Sequence, residues 1–152
     1  MLIFASFSNG QVERGGKPSW DIDVSAVPKL RLSAIDQTLL DSQDVVTDQF
    51  KEAPWRFGVE FDVDINPEVD GLWTLESGKR VWRIQVEAKE ALGLSFFFDK
   101  FRLPKGGRLF IWNEERTDFI GSFDHRNNKD WGSLAVGQTV GTSVVIEYRE
   151  PY

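Results

Sequence analysis

Cysteine is absent from the 152 residues, and histidine and methionine each occur once. The lack of cysteine excludes disulfides, thiolate metal sites and a cysteine nucleophile. No apolar run reaches about 18 residues, so the sequence predicts no membrane-spanning helix. Lysine and arginine form no run that would neutralise successive phosphates, and the net charge is −6. We therefore expect no nucleic-acid partner.

Aromatic residues are abundant, with 12 phenylalanines and 6 tryptophans in a chain that is 41% hydrophobic. This length and composition allow one packed domain with an extension. Residues 1–10 are apolar and then small, as at the end of an export signal, and Gln11 is the expected mature start. We expect a secreted or cell-surface protein that passes through the periplasm.

Residues 11–52 differ in character from the rest of the chain. Glycine and proline at 15–18 break regular structure, and the region after Ser33 is polar with scattered aliphatic residues. The spacing of Ile35, Leu39 and Leu40 allows one short helix, with Ser33 as its cap and Asp36 in its first turn. The sequence predicts an extended arm, partly docked on the following domain.

From Trp55 onward, apolar and polar side chains begin to alternate along the chain. Apolar side chains take the odd positions of residues 55–65 and mostly charged ones the even positions, which predicts a half-buried strand with Trp55 in the core. In the strand expected at residues 80–88, Trp82 alternates in step with aliphatic residues at even positions, so it is also a core prediction, while Arg83 falls on the wet face.

Further short strands follow, separated by turn signals that include Gly137-Gln138. Together they predict about eight strands in an all-β antiparallel sandwich, like a jelly roll, over residues 53–152. The strands after the first are expected at residues 72–75, 80–88, 91–101, 108–113, 117–124, 131–136 and 142–150.

The reactive side chains form no catalytic pattern. His125 follows Asp124 in a polar loop, but neighbours in an extended chain point to opposite sides and no nucleophile motif is present. The acidic residues from Asp62 to Asp70 resemble the start of a calcium loop, yet Pro67 and Trp73 stand where glycine and glutamate are needed. We expect no catalytic residue, no metal and no cofactor.

Three tryptophans lie outside the clear core pattern. Trp20 is in the arm, Trp131 follows a polar loop, and Trp112 shares a face with Phe110. Exposed aromatic rings hold sugars and other flat ligand surfaces. Trp20, Trp112 and Trp131 are therefore the candidate ligand or partner surface, with core or arm-docking roles as the alternative.

Several segments, in their order and spacing, resemble the N-terminal non-catalytic domain of secreted lysyl-endopeptidase-type trypsin-like serine proteases and related exported Bacteroidetes proteins. The resemblance covers about two-thirds of the chain and is carried by residues 55–58, 71–84, 98–113, 120–123, 127–129 and 145–151.

The resemblance implies a pro-region without chemistry of its own, because the family's catalytic residues lie in a following domain. Such a module is expected to assist the folding, export or latency of a protease domain, joined to it or separate. The alternative is a carbohydrate-binding or cell-surface-binding module that uses exposed aromatic rings on the sandwich.

Overall fold

A computed structural model of the chain describes residues 13–49 and 54–151. The export remnant expected at residues 1–10 lies outside the described residues. The described part is mainly β-structure with a single α-helix, α1 (Gln37–Thr47). Its eight strands are β1 (Lys29–Arg31), β2 (Leu72–Glu76), β3 (Lys79–Glu87), β4 (Gly93–Phe98), β5 (Arg108–Asn113), β6 (Phe119–Phe123), β7 (Leu134–Val140) and β8 (Ser143–Arg149).

The strands form two sheets, which confirms the predicted all-β sandwich class. The large sheet has the order β1-β3-β8-β5-β6, and β2 also pairs with β3. The small sheet is the antiparallel pair β4-β7. All pairs are antiparallel except β1 with β3, so the large sheet is mixed. β2 and β3, which follow each other in the chain, pair as an antiparallel hairpin.

The main core lies between the two sheets. Trp82, Ile84 and Val86 of β3 point into it, as their alternation predicts. They pack with buried residues of β4, β5, β7 and β8, among them Leu94, Ile111, Leu134, Val144 and Ile146.

A second core lies on the opposite face of the large sheet, under the arm. Trp20, Ile22 and Val24 of the arm pack against Phe110, Trp112, Phe119 and Val145. The prediction that Arg83 faces water is wrong, because the arm and the neighbouring side chains cover this face and leave Arg83 buried. The arm also supplies β1, which extends the edge of the large sheet.

The predicted strand at residues 55–65 is not formed. These residues are neither helix nor strand, and Trp55 is 80% exposed, so its assignment to the core is wrong. A strand needs a neighbour to take its backbone hydrogen bonds. None of the described strands pairs with this segment.

Two local predictions also need correction. Gly137-Gln138 is not a turn, because β7 continues through it and these two residues lie opposite Ser95 where the β4-β7 register shifts. This is a β-bulge, which uses the same small and polar residues as a turn. The helix cap is Asp36 rather than Ser33, since the Asp36 carboxylate accepts a hydrogen bond from the amide of Leu39 at 3.0 Å.

Candidate functional site

A network of buried charges fixes the arm to the large sheet. Glu147 of β8 accepts a hydrogen bond from Nε of Arg83 at 2.9 Å and another from Nε of Arg149 at 2.8 Å. The backbone amide of Ser19 donates to both oxygens of the same carboxylate. Arg149 also donates to the carbonyl of Lys17 at 2.8 Å. The arm is therefore docked by charge as well as by its apolar side chains.

Glu76 completes this network from the end of β2. Both its oxygens accept hydrogen bonds from the guanidinium of Arg83, one of them at 2.8 Å from Nη2. The hydrogen bond from Arg83 holds the pKa of Glu76 at about 2, well below its usual value. Arg83 is thus balanced by two carboxylates, Glu76 and Glu147, which is what a buried guanidinium requires.

The structure separates the three tryptophans that the sequence offers as a surface. Trp112 is completely buried, so its ring faces no ligand. Trp20 is half-buried and packs edge-on against Phe119 with ring centroids 5.7 Å apart. Trp131 alone of the three presents its ring to solvent, being 74% exposed. The three residues do not form one platform.

His125 lies in a short 3₁₀ turn, and the acidic loop lies just before β2. Asp124 caps a short 3₁₀ turn (His125–Asn127) and binds Arg126, whose hydrogen bond lowers the pKa of Asp124 to about 2. Asp70 accepts a hydrogen bond from the amide of Asn66 and so closes the loop before β2. Within residues 13–49 and 54–151, no three histidine, aspartate or glutamate side chains converge as metal ligands.

The segment 54–65, which the sequence predicts as a core strand, exposes several large apolar side chains. Phe57 is fully exposed, and Val59 and Val63 are also exposed. Ile65, at its end, packs on the edge of the main core. The segment is therefore attached to the sandwich at its C-terminal end, and the apolar side chains before that end are exposed to solvent.

The backbone of this segment is unpaired inside the described part of the chain, where none of its amides or carbonyls has a backbone partner. Its only polar anchor there is Arg56, which donates to Asp44 at 2.9 Å and to Gln43 at 3.0 Å on α1. The helix itself buries no residue, and Leu39, Val45 and Val46 are exposed on it. The helix and the segment thus both expose large apolar side chains, and contiguous exposed apolar surface marks interaction sites.

Sequence reasoning missed this surface because it placed the odd-numbered residues inside. The signal was nevertheless visible as the strict alternation from Trp55 to Ile65. That pattern predicts that one face of the segment can be buried. It does not show whether the residues that bury this face belong to this chain or to another protein.

No helix among the described residues has the length and apolar character needed to cross a bilayer. Comparison with known proteins finds no family model that matches the chain. No solved structure matches it either.

Proposed function

We propose that this chain is a non-enzymatic, prodomain-like module of a secreted protein, which binds a partner protease domain through the segment 54–65. In this role it assists the folding or export of the partner or keeps it latent, as the sequence resemblance implies. The observation that carries the proposal is the row of exposed apolar side chains on a backbone without partners in the described chain.

Strand addition is the mode of binding that fits this segment. An open sheet edge supplies backbone donors and acceptors, and alternate side chains of the added strand then fall on opposite faces. In residues 55–65 one face would carry Trp55, Phe57 and Val59. Burying these side chains against the partner removes apolar area from water, which is the main favourable term in association.

The other face of the segment is acidic, which predicts a basic surface on the partner. Glu60, Asp62 and Asp64 occupy alternate positions and would share that face. A partner with an open strand edge, apolar on one side and basic on the other, complements both faces. An exposed apolar strand tends to pair with other chains and aggregate. The acidic face therefore also protects the free module from aggregation.

A binding titration against the trypsin-like domain of a lysyl-endopeptidase-type protease tests the proposal. The variant Trp55→Ser/Phe57→Ser removes the two largest exposed rings of the segment. The matched control Trp131→Ser/Phe97→Ser removes an exposed tryptophan and an exposed phenylalanine elsewhere, with exposures of 74% and 68%. Both variants are expected to fold.

The first variant is expected to weaken binding by about 100-fold, or about 2.7 kcal/mol, as for hot-spot aromatic residues. The control is expected to bind like the unchanged chain. Equal weakening by both variants, or no binding by the unchanged chain, contradicts the proposal.

Carbohydrate or cell-surface binding is the second candidate, favoured by the exposed ring of Trp131. A sugar stacked on this ring would quench its fluorescence. A panel of oligosaccharides, titrated into the unchanged chain and into Trp131→Ser, separates the two functions. Quenching that disappears in Trp131→Ser supports the second candidate, and a flat response across the panel removes it.

A further inference from the structure

A cavity of about 340 Å³ lies where the arm crosses the large sheet, away from the segment 54–65. Residues of the arm, of β3, β5 and β8, and of the chain after β8 contribute to its lining. Four cationic side chains and a single carboxylate line it: Arg14, Lys79, Arg108, Arg149 and Glu150. This balance contrasts with a chain whose net charge is −6.

Among the cavity cations, Arg149 is paired with Glu147 at 2.7 Å, whereas the other nearby carboxylates are engaged outside the cavity. Glu150 binds Arg80 at 3.1 Å, and Arg80 does not line the cavity. The carboxylate nearest to Arg108 is Asp124 at 4.0 Å, which lies much closer to Arg126, at 2.7 Å. The positive charge of Arg108 is therefore only weakly balanced by the protein.

Arg14 provides an independent sign of a missing partner. Its Nε is buried and has no hydrogen-bond partner in the described chain. Its backbone is held in place, because the Arg14 amide donates to the carbonyl of Ser122 at 2.9 Å. A buried guanidinium nitrogen without an acceptor is costly, and the Arg14 side chain that carries it borders the cavity.

The side chains that line the cavity are held in place by contacts within the protein. Ser122 Oγ accepts from Arg108 at 2.7 Å and donates to the carbonyl of Gly15 at 2.7 Å, which joins the arm to β6. The Arg149 guanidinium lies over the ring of Phe110, 4.6 Å from its centroid. These contacts fix two arginines at the walls of the cavity before any ligand arrives.

We propose that this cavity binds a divalent tetrahedral oxyanion, a sulfate or phosphate group. Guanidinium groups match such oxygens through paired, charge-assisted hydrogen bonds. Two negative charges balance Arg14 and Arg108, whereas a monovalent carboxylate balances only one. This site does not depend on the proposed protein partner.

Calorimetric titration of the full chain with sodium sulfate and sodium phosphate tests the site, with sodium chloride and sodium acetate at matched ionic strength as references. We expect saturable binding of sulfate and phosphate, with movement of the Arg14 Nε–H signal in NMR spectra. Acetate and chloride are expected to produce no saturable response. A sulfate response no different from that of chloride overturns the proposal.

Two single substitutions locate the site. Arg14→Gln is expected to weaken sulfate binding about tenfold through the loss of charge-assisted hydrogen bonds. Arg102→Gln, at an exposed residue that does not line the cavity, is the control for net charge and is expected to change nothing. Since Arg14→Gln could loosen the arm, Arg108→Gln provides a second variant, with the same expected weakening. Equal weakening by Arg102→Gln, or none by both cavity variants, overturns the proposal.

Discussion

Arg83 and Glu147 are direct cross-strand neighbours on β3 and β8, and both are buried while Nε of the first donates to Oε2 of the second at 2.9 Å. The pair lies on the outer face of the large sheet, which the arm covers. Its charges are completed by Glu76 and Arg149, so the cost of removing them from water is offset by hydrogen bonds on several sides.

Substitution of Glu147 by glutamine removes the charge and keeps the shape. We expect Glu147→Gln to lower the free energy of unfolding by about 3 kcal/mol, because Arg83 and Arg149 both lose a buried charged partner. Urea denaturation measures this loss. The control is Glu150→Gln, whose partner Arg80 is exposed, and its expected loss is at most about 1 kcal/mol. Similar losses for both variants would contradict a stabilising role of the buried network.

Glu76 predicts the behaviour of the module in acid. Its pKa in the folded chain is about 2, and the usual value is 4.5. A carboxyl group with a lowered folded pKa stabilises the fold above its unfolded pKa, and this contribution is lost as the pH falls through the folded value. The advantage of the unchanged chain over Glu76→Gln should therefore be constant above about pH 5 and shrink towards about pH 2.

Denaturation of both chains across this pH range measures the difference. Asp124, whose pKa is also lowered to about 2, is present in both chains and cancels in the comparison. A difference that does not change with pH would show that Glu76 gains nothing from its charge.

Alanine substitutions at Gly71 and Gly78 distinguish the cost of backbone strain from the cost of a steric clash. Both have a φ of +79°, but a Cβ at Gly71 would lie 2.5 Å from the carbonyl oxygen of Arg83, whereas a Cβ at Gly78 meets nothing within 4 Å. We expect Gly78→Ala to cost about 1 kcal/mol from the left-handed backbone alone. Gly71→Ala should cost at least about 2 kcal/mol more, because the added atom collides with β3. Thermal or urea unfolding gives both values, and equal costs would contradict the packing of this loop.

Trp112 and Trp131 should respond oppositely to truncation. Trp112→Ala empties a buried position between the sheet and the arm, with an expected loss of about 3–5 kcal/mol in unfolding free energy. Trp131→Ala removes an exposed ring and should change stability by about 0.5 kcal/mol or less. A large loss for Trp131→Ala would place that ring in a contact that the structure lacks.

The alternation of side chains predicts most of the strands because each strand from β2 to β8 packs at least one side chain against a core of the same chain. Trp82 and Ile84 illustrate this, since both lie in the core with the parity expected. Alternation wrongly predicts that Arg83 is exposed. The residues that bury it are distant in sequence and leave no periodic signal in β3. The charge partners of Arg83 are remote for the same reason.

The segment 54–65 shows the opposite limit. Its pattern is the clearest in the chain, yet Trp55 and Phe57 are exposed. Periodicity reports that a residue is suited to burial, while a neighbouring strand decides whether burial occurs. The oxyanion cavity leaves no sequence signal, because Arg14, Lys79, Arg108 and Arg149 are brought together only by the pairing of strands and the path of the arm.

Hydrogen exchange of the amides in residues 55–64, measured for the free chain and for its mixture with the protease domain, tests the central claim most directly. In the free chain these amides should exchange at rates near those of an unstructured peptide, since the described residues offer them no acceptor. On mixing, protection should appear in alternate amides as the segment joins a strand edge. Protection already present in the free chain, or binding that leaves these amides unprotected, would contradict the account.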